Sequence, residues 1–131
     1  MQEFDSSAFV QLKKHERIKL LAEYAGVTAA EIGAMLEITE PQVAEYLSRG
    51  NFSEAVSQNV TDALDRLLSI LGFTLRLSDY DPELMPYFWQ VREYFKESFE
   101  KPPWDEVGLA DYLKAQGQHG LTEALNWIRR H

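Results

Sequence analysis

Two copies of one capping device, eleven residues apart, constrain this chain more than any other feature of it. Thr28 is followed three residues later by Glu31, and Thr39 by Gln42. Each pair precedes apolar residues at i,i+4 spacing, Ile32 and Leu36 in the first case and Val43 and Leu47 in the second. In such a box the Thr hydroxyl accepts from an orphan backbone N–H, while the Glu or Gln reaches back to the N–H of the cap. The pattern predicts two short helices, each burying one stripe. Only about two residues, Ile38 and Thr39, lie between them, so the helices cross sharply, and Gly33 leaves room for the close approach.

Flanking segments complete a helical unit. Residues 7 to 25 read as one helix with Phe9, Leu12, Ile18, Leu21 and Ala25 available for burial, stopped by Gly26. Gly50 ends the second motif helix, and residues 53 to 57 read as a short turn or helix. From Val60 onward, Leu64, Leu67, Leu68 and Leu71 follow at helical spacing, with Gly72 as the expected stop. Phe73 to Leu77 then alternates apolar and polar residues, as a short strand would. A lone strand leaves its backbone groups unpaired, so the expected partner is the same strand of a second subunit in a homodimer.

A boundary near residue 80 separates two expected units, 1–79 and 80–131. Asp81-Pro82-Glu83 is a helix start, with Asp as N-cap and Pro at N1. Leu84, Phe88, Val91, Phe95 and Phe99 line one side of the helix that follows, and Lys101-Pro102-Pro103 ends it. Asp105 caps a further helix to about Gln116, Gln118-His119-Gly120 makes a turn, and a last helix runs from Leu121 to Arg130. The second unit is small for a self-sufficient core. It is rich in aromatic rings, among which Trp89, Tyr87 and Trp104 are the candidates for binding a protein partner.

The stretch from Ile18 to Leu77 resembles the lambda-repressor-like, or Xre-type, helix-turn-helix family. The residues that carry the likeness are Gly33 in the first helix, Ile38 in the turn, Val43 and Leu47 in the second helix, Ser48-Arg49-Gly50-Asn51 at its exit, and the segment Ala63 to Leu77. Glu37 departs from the pattern, since the family usually places Gly at that turn; a non-Gly residue there carries a conformational cost. The resemblance implies an all-α chain: a five-helix lambda-repressor-like helix-turn-helix domain with a short strand and a helical C-terminal extension. It further implies a repressor that binds double-stranded operator DNA, with base edges read from the start and outward face of the second helix. Carried onto this chain, those positions are Glu40, Pro41, Ala44, Glu45 and Ser48. The expected DNA contacts are Gln42, Glu45, Ser48, Arg49 and Asn51, with Lys13, Lys14 and Arg17 on phosphates. Antitoxins that repress their own operon share this size, acidity and two-part layout, which makes a cognate toxin the expected protein partner.

Charge points to an alternative. The chain carries a formal net charge of −8, divided as −5 in residues 1 to 79 and −3 in residues 80 to 131. Duplex binding draws much of its affinity from neutralised phosphates, and Glu40 and Glu45 oppose that. A degenerate helix-turn-helix that binds a basic protein partner, without DNA, is the rival reading. The absence of cysteine excludes disulfides and thiolate chemistry and suits a reducing cytoplasm. No apolar run is long enough for a membrane span, and the acidic N-terminus is unlike a signal peptide. His15, His119 and His131 lie far apart, so neither a metal site nor a cofactor is expected. No phosphate-cradling glycine loop or nucleophile motif occurs, and enzymatic activity is not expected.

Overall fold

The computed structural model describes residues 4–90 and 101–130. Among the described residues seven helices form: α1 (Ser6–Gln11), α2 (Lys14–Ala25), α3 (Ala29–Leu36), α4 (Glu40–Arg49), α5 (Gln58–Leu77), α6 (Met85–Gln90) and α7 (Leu109–Arg130). The class is all-α, and no strand occurs among the described residues.

The two capping boxes form as the spacing predicts. Thr28 Oγ1 accepts from the Glu31 N–H at 3.2 Å, and the Glu31 carboxylate accepts from the Thr28 N–H at 3.0 Å. At the second box the corresponding bonds are 3.3 and 2.9 Å between Thr39 and Gln42. Pro41 stands in the first turn of α4, where its missing N–H costs no helical bond. A Cβ on Gly33 would come within 2.9 Å of the Ile38 carbonyl oxygen, so only glycine lets the turn fold back this closely on α3.

Among the described residues, a contiguous apolar cluster joins the helices. Ile18, Leu21 and Ala25 of α2, Ile32, Met35 and Leu36 of α3, and Val43 of α4 meet Leu67, Ile70 and Leu71 of α5. Met85 and Trp89 of α6 and Leu109, Leu113, Leu121 and Ala124 of α7 belong to the same cluster. Each fully buried large side chain of this kind stabilises the fold by roughly 1.5–3 kcal/mol. α7 lies against both α3 and α5, so the C-terminal segment covers α3 on the side that faces the core.

Several expectations are corrected. The segment Phe73–Leu77 is the last turn of α5, not a strand. Its buried positions, Leu71, Thr74, Leu75 and Ser78, fall at 0, +3, +4 and +7, the period of a helix. Alternation misled because the polar Thr74 is a core residue, whereas Leu77 is 40% exposed. Thr74 Oγ1 accepts the Trp89 indole N–H at 2.9 Å and donates to the Leu71 carbonyl at 2.9 Å, which satisfies both buried groups. The expected intersubunit strand pairing therefore has no strand to use. α5 also runs straight through Gly72.

The helix expected over 7–25 is broken at Leu12 and Lys13. Residues 53–57 hold no helix. α6 starts at Met85, after a turn in which Asp81 Oδ1 accepts the Glu83 N–H at 3.0 Å, three residues later than Asp81-Pro82 suggested. Val91, Phe95 and Phe99 lie outside the described residues. The helix expected from Asp105 begins only at Leu109, and the turn expected at 118–120 is a single non-helical residue, Gly117, inside α7.

Candidate nucleic-acid interface

α4 packs on α2 and α3 through Val43, Tyr46 and Leu47, which turns the opposite side of the helix outward. Glu40, Pro41, Ala44, Ser48 and Arg49 are exposed there, and Asn51 follows directly. Both the box at Thr39 and the apolar stripe set this orientation: the cap fixes where the helix begins, and the stripe fixes which side faces in.

Gln42 and Glu45, expected to read bases, have internal partners. The Gln42 side chain is closed on its own cap at Thr39. Glu45 accepts the Ser53 N–H at 2.6 Å, which folds the chain after Gly50 back along α4. The Ser53 backbone N–H, seconded by its hydroxyl, holds the Glu45 carboxyl below the usual range. Phe52 stacks on Tyr46 with ring centroids 5.2 Å apart and secures the same loop. Pro41, Gln42, Glu45, Phe52, Ser53 and Glu54 line a shallow cleft of about 220 Å³ whose charged groups are both acidic.

Two of the three expected phosphate contacts are likewise engaged within the fold. Lys14 pairs with Asp65 of α5. Arg17 donates from Nε to the Leu12 carbonyl at 3.1 Å and from a terminal nitrogen to the Val10 carbonyl at 3.0 Å, and its guanidinium lies 5.4 Å from the Phe9 ring centre. Arg17 thereby satisfies the last carbonyls of α1 and spans the break between α1 and α2. Lys13 stays exposed. Lys19, which belongs to the same basic cluster of the sequence as Lys13, Lys14 and Arg17, is exposed and lines one groove with Glu16, Glu23, Leu47 and Ser48. It stands beside the end of α4 that carries Arg49.

The three proposed partner anchors divide. Trp89 is 0% exposed and Trp104 is 4% exposed, with Trp104 edge-on to Trp127 at 5.3 Å between ring centres. Both rings serve the chain's own core, which corrects their assignment as surface anchors. Tyr87 is 55% exposed.

No helix among the described residues is long and apolar enough to cross a membrane. Among those residues, no group of three or more His, Asp or Glu side chains is placed to hold a metal ion.

No family model matches the chain. No solved structure matches it. An isoleucine–tRNA ligase from Streptomyces avermitilis is 30% identical over 89 residues, an alignment that takes in 58% of this chain and 8% of the ligase. With the chain spanning so small a part of that relative's length, the ligase's activity stays with the ligase.

Proposed function

We propose that α3 and α4 form a helix-turn-helix of the Xre type, and that the chain is a cytoplasmic repressor whose α4 enters the major groove of operator DNA. The observation that carries this reading is the presentation of α4. Its buried stripe rests on α2 and α3, while Ser48, Arg49 and Asn51 are exposed and Ser48 lines one groove with Lys19. In this reading Arg49 and Asn51 approach bases or the backbone near the end of α4, and Lys13 and Lys19 of α2 take phosphates. Glu45 acts as the anchor of the loop that carries Asn51. A toxin bound to the C-terminal segment would make the chain an autoregulating antitoxin.

Duplex capture by Arg49→Glu and Lys19→Glu tests the reading. Both side chains are exposed, so loss of binding with an unchanged melting temperature supports it. Unchanged binding removes it. Lys14 and Arg17 are unsuitable for this test, because their reversal breaks contacts inside the fold.

A second reading is favoured by the acidic cleft at the start of α4. Glu45 and Glu54 there, with Glu40 exposed nearby, suit a basic protein surface better than phosphate. Under this reading the helix-turn-helix is a protein-interaction module, and no duplex binds even at low salt. Salt separates the two, since each phosphate contact contributes about −0.9 to the slope of log K against log salt.

A further inference from the structure

The turn between α3 and α4 is tied to the C-terminal helix by a reciprocal pair of hydrogen bonds. Glu37, the residue after α3, has a left-handed backbone with φ 62° and ψ 44°. Its Oε2 accepts the Gln118 N–H at 3.0 Å, and Gln118 Nε2 donates to the Leu36 carbonyl at 2.8 Å. Leu36 belongs to the last turn of α3, whose carbonyls lack helical partners, and Gln118 follows the break in α7, where N–H groups lack them. Each side therefore supplies what the end of the other is missing. Gly117 makes the fit possible, since φ 60° and ψ −141° is a conformation close to the region kept almost wholly for glycine. A Cβ there would lie 2.9 Å from Glu37 Oε2. One turn earlier, Lys114 pairs with Glu31 at 3.1 Å and fastens the first half of α7 to the other end of α3.

We propose that Glu37 and Gln118 form a latch through which the C-terminal helix sets the angle between α3 and α4, so that both are positioning residues for the face α4 presents. The functional consequence rests on the role proposed above for that face; the latch itself does not. A protein that engages α7 near Gly117 would then act on α4 without touching it, because the shared element is the three-residue turn. The sequence departure at Glu37 acquires a reason: glycine would relax the turn but could not cap α7.

Amide hydrogen exchange on the full chain tests the latch, with Glu37→Gln, Gln118→Ala and the double variant. The Ile38 N–H, bonded to the Gly33 carbonyl at 3.0 Å, reports the turn, and the amides of α5 report global stability. The latch predicts that Gln118→Ala and the double variant raise exchange at Ile38 and along α4 by ~10-fold or more, with α5 changing less than about twofold. It also predicts that the double variant is no worse than the more damaging single one. Unchanged exchange at Ile38 would overturn the proposal, and so would an equal rise across α5, which would reduce the contacts to general packing. Genomic-DNA selection on the same proteins separates the two claims. Exchange that shifts as expected with no duplex captured by the unmodified chain upholds the latch and removes the DNA reading. Duplex captured with exchange unmoved does the reverse.

Discussion

Glu37 and Gln118, 81 residues apart in sequence, meet at 3.0 Å, the carboxylate of one accepting the backbone N–H of the other. Two opposing terms act at Glu37. The left-handed backbone costs about 1–2 kcal/mol for a residue with a side chain. The bond to a charged acceptor returns a comparable amount, discounted here for solvent exposure. Glu37→Ala keeps the cost and loses the bond, so it should destabilise by about 1–2 kcal/mol. Glu37→Gly loses both and should lie within about 1 kcal/mol of the unmodified chain. Urea unfolding measures the difference; a Gly variant more stable by over about 1 kcal/mol would mean that the carboxylate contributes nothing.

Thr74 and Trp89 form a buried polar pair. Thr74→Val keeps the volume but leaves the indole N–H unpaired in the core, at a cost of about 1–3 kcal/mol. The urea midpoint should fall with the m-value unchanged. No loss of stability would show that the indole finds another acceptor.

Gly72 sits inside α5 with open space where a Cβ would go. Gly72→Ala should therefore stabilise the chain by roughly 0.5–1 kcal/mol, through lower entropy of the unfolded state and better helix propensity. A fall in melting temperature would contradict the assignment of Phe73–Leu77 to a continuous helix.

Burial pushes the Glu31 carboxyl upward, but the Thr28 N–H and Lys114 outweigh it, so its pKa lies below the ordinary value. The sign follows from linkage. A depressed carboxyl contributes stability that is complete above its unfolded pKa of about 4.3 and is lost as pH falls through the lower folded value. On the other side, hydrogen bonds from Lys114 to Glu31 and Asp111 raise its pKa. That contribution is complete below about pH 10.4 and is lost as pH rises through the folded value. Glu31→Gln should flatten both limbs of a plot of stability against pH. An unaltered acid limb would mean that the tie between α3 and α7 carries no net stability.

The parts of this fold legible in the sequence are those decided within one turn of helix. The boxes at Thr28 and Thr39, the stop at Gly26 and the inward side of α4 all follow from residues three or four apart. What the sequence hid was decided by distant partners. Lys14 reads as a phosphate contact until Asp65, 51 residues on, is seen beside it. Arg17 reads the same way until α1 ends underneath it. Thr74 made a helix look like a strand because its core partner is an indole fifteen residues ahead. The aromatic rings of residues 80 to 131 read either as core or as partner anchors, and the rings of Trp89, Trp104 and Trp127 fill the interior.

The central claim is that α4 presents a face that reads duplex DNA, and selection of sheared genomic fragments on the purified full chain at low salt tests it most directly. The account predicts recovery of a single palindromic site, lost with Arg49→Glu and weakening steeply as salt rises. Recovery of no site at low salt, from a chain shown to be folded, would contradict it and leave the acidic cleft at Glu45 and Glu54 as the feature that defines the partner.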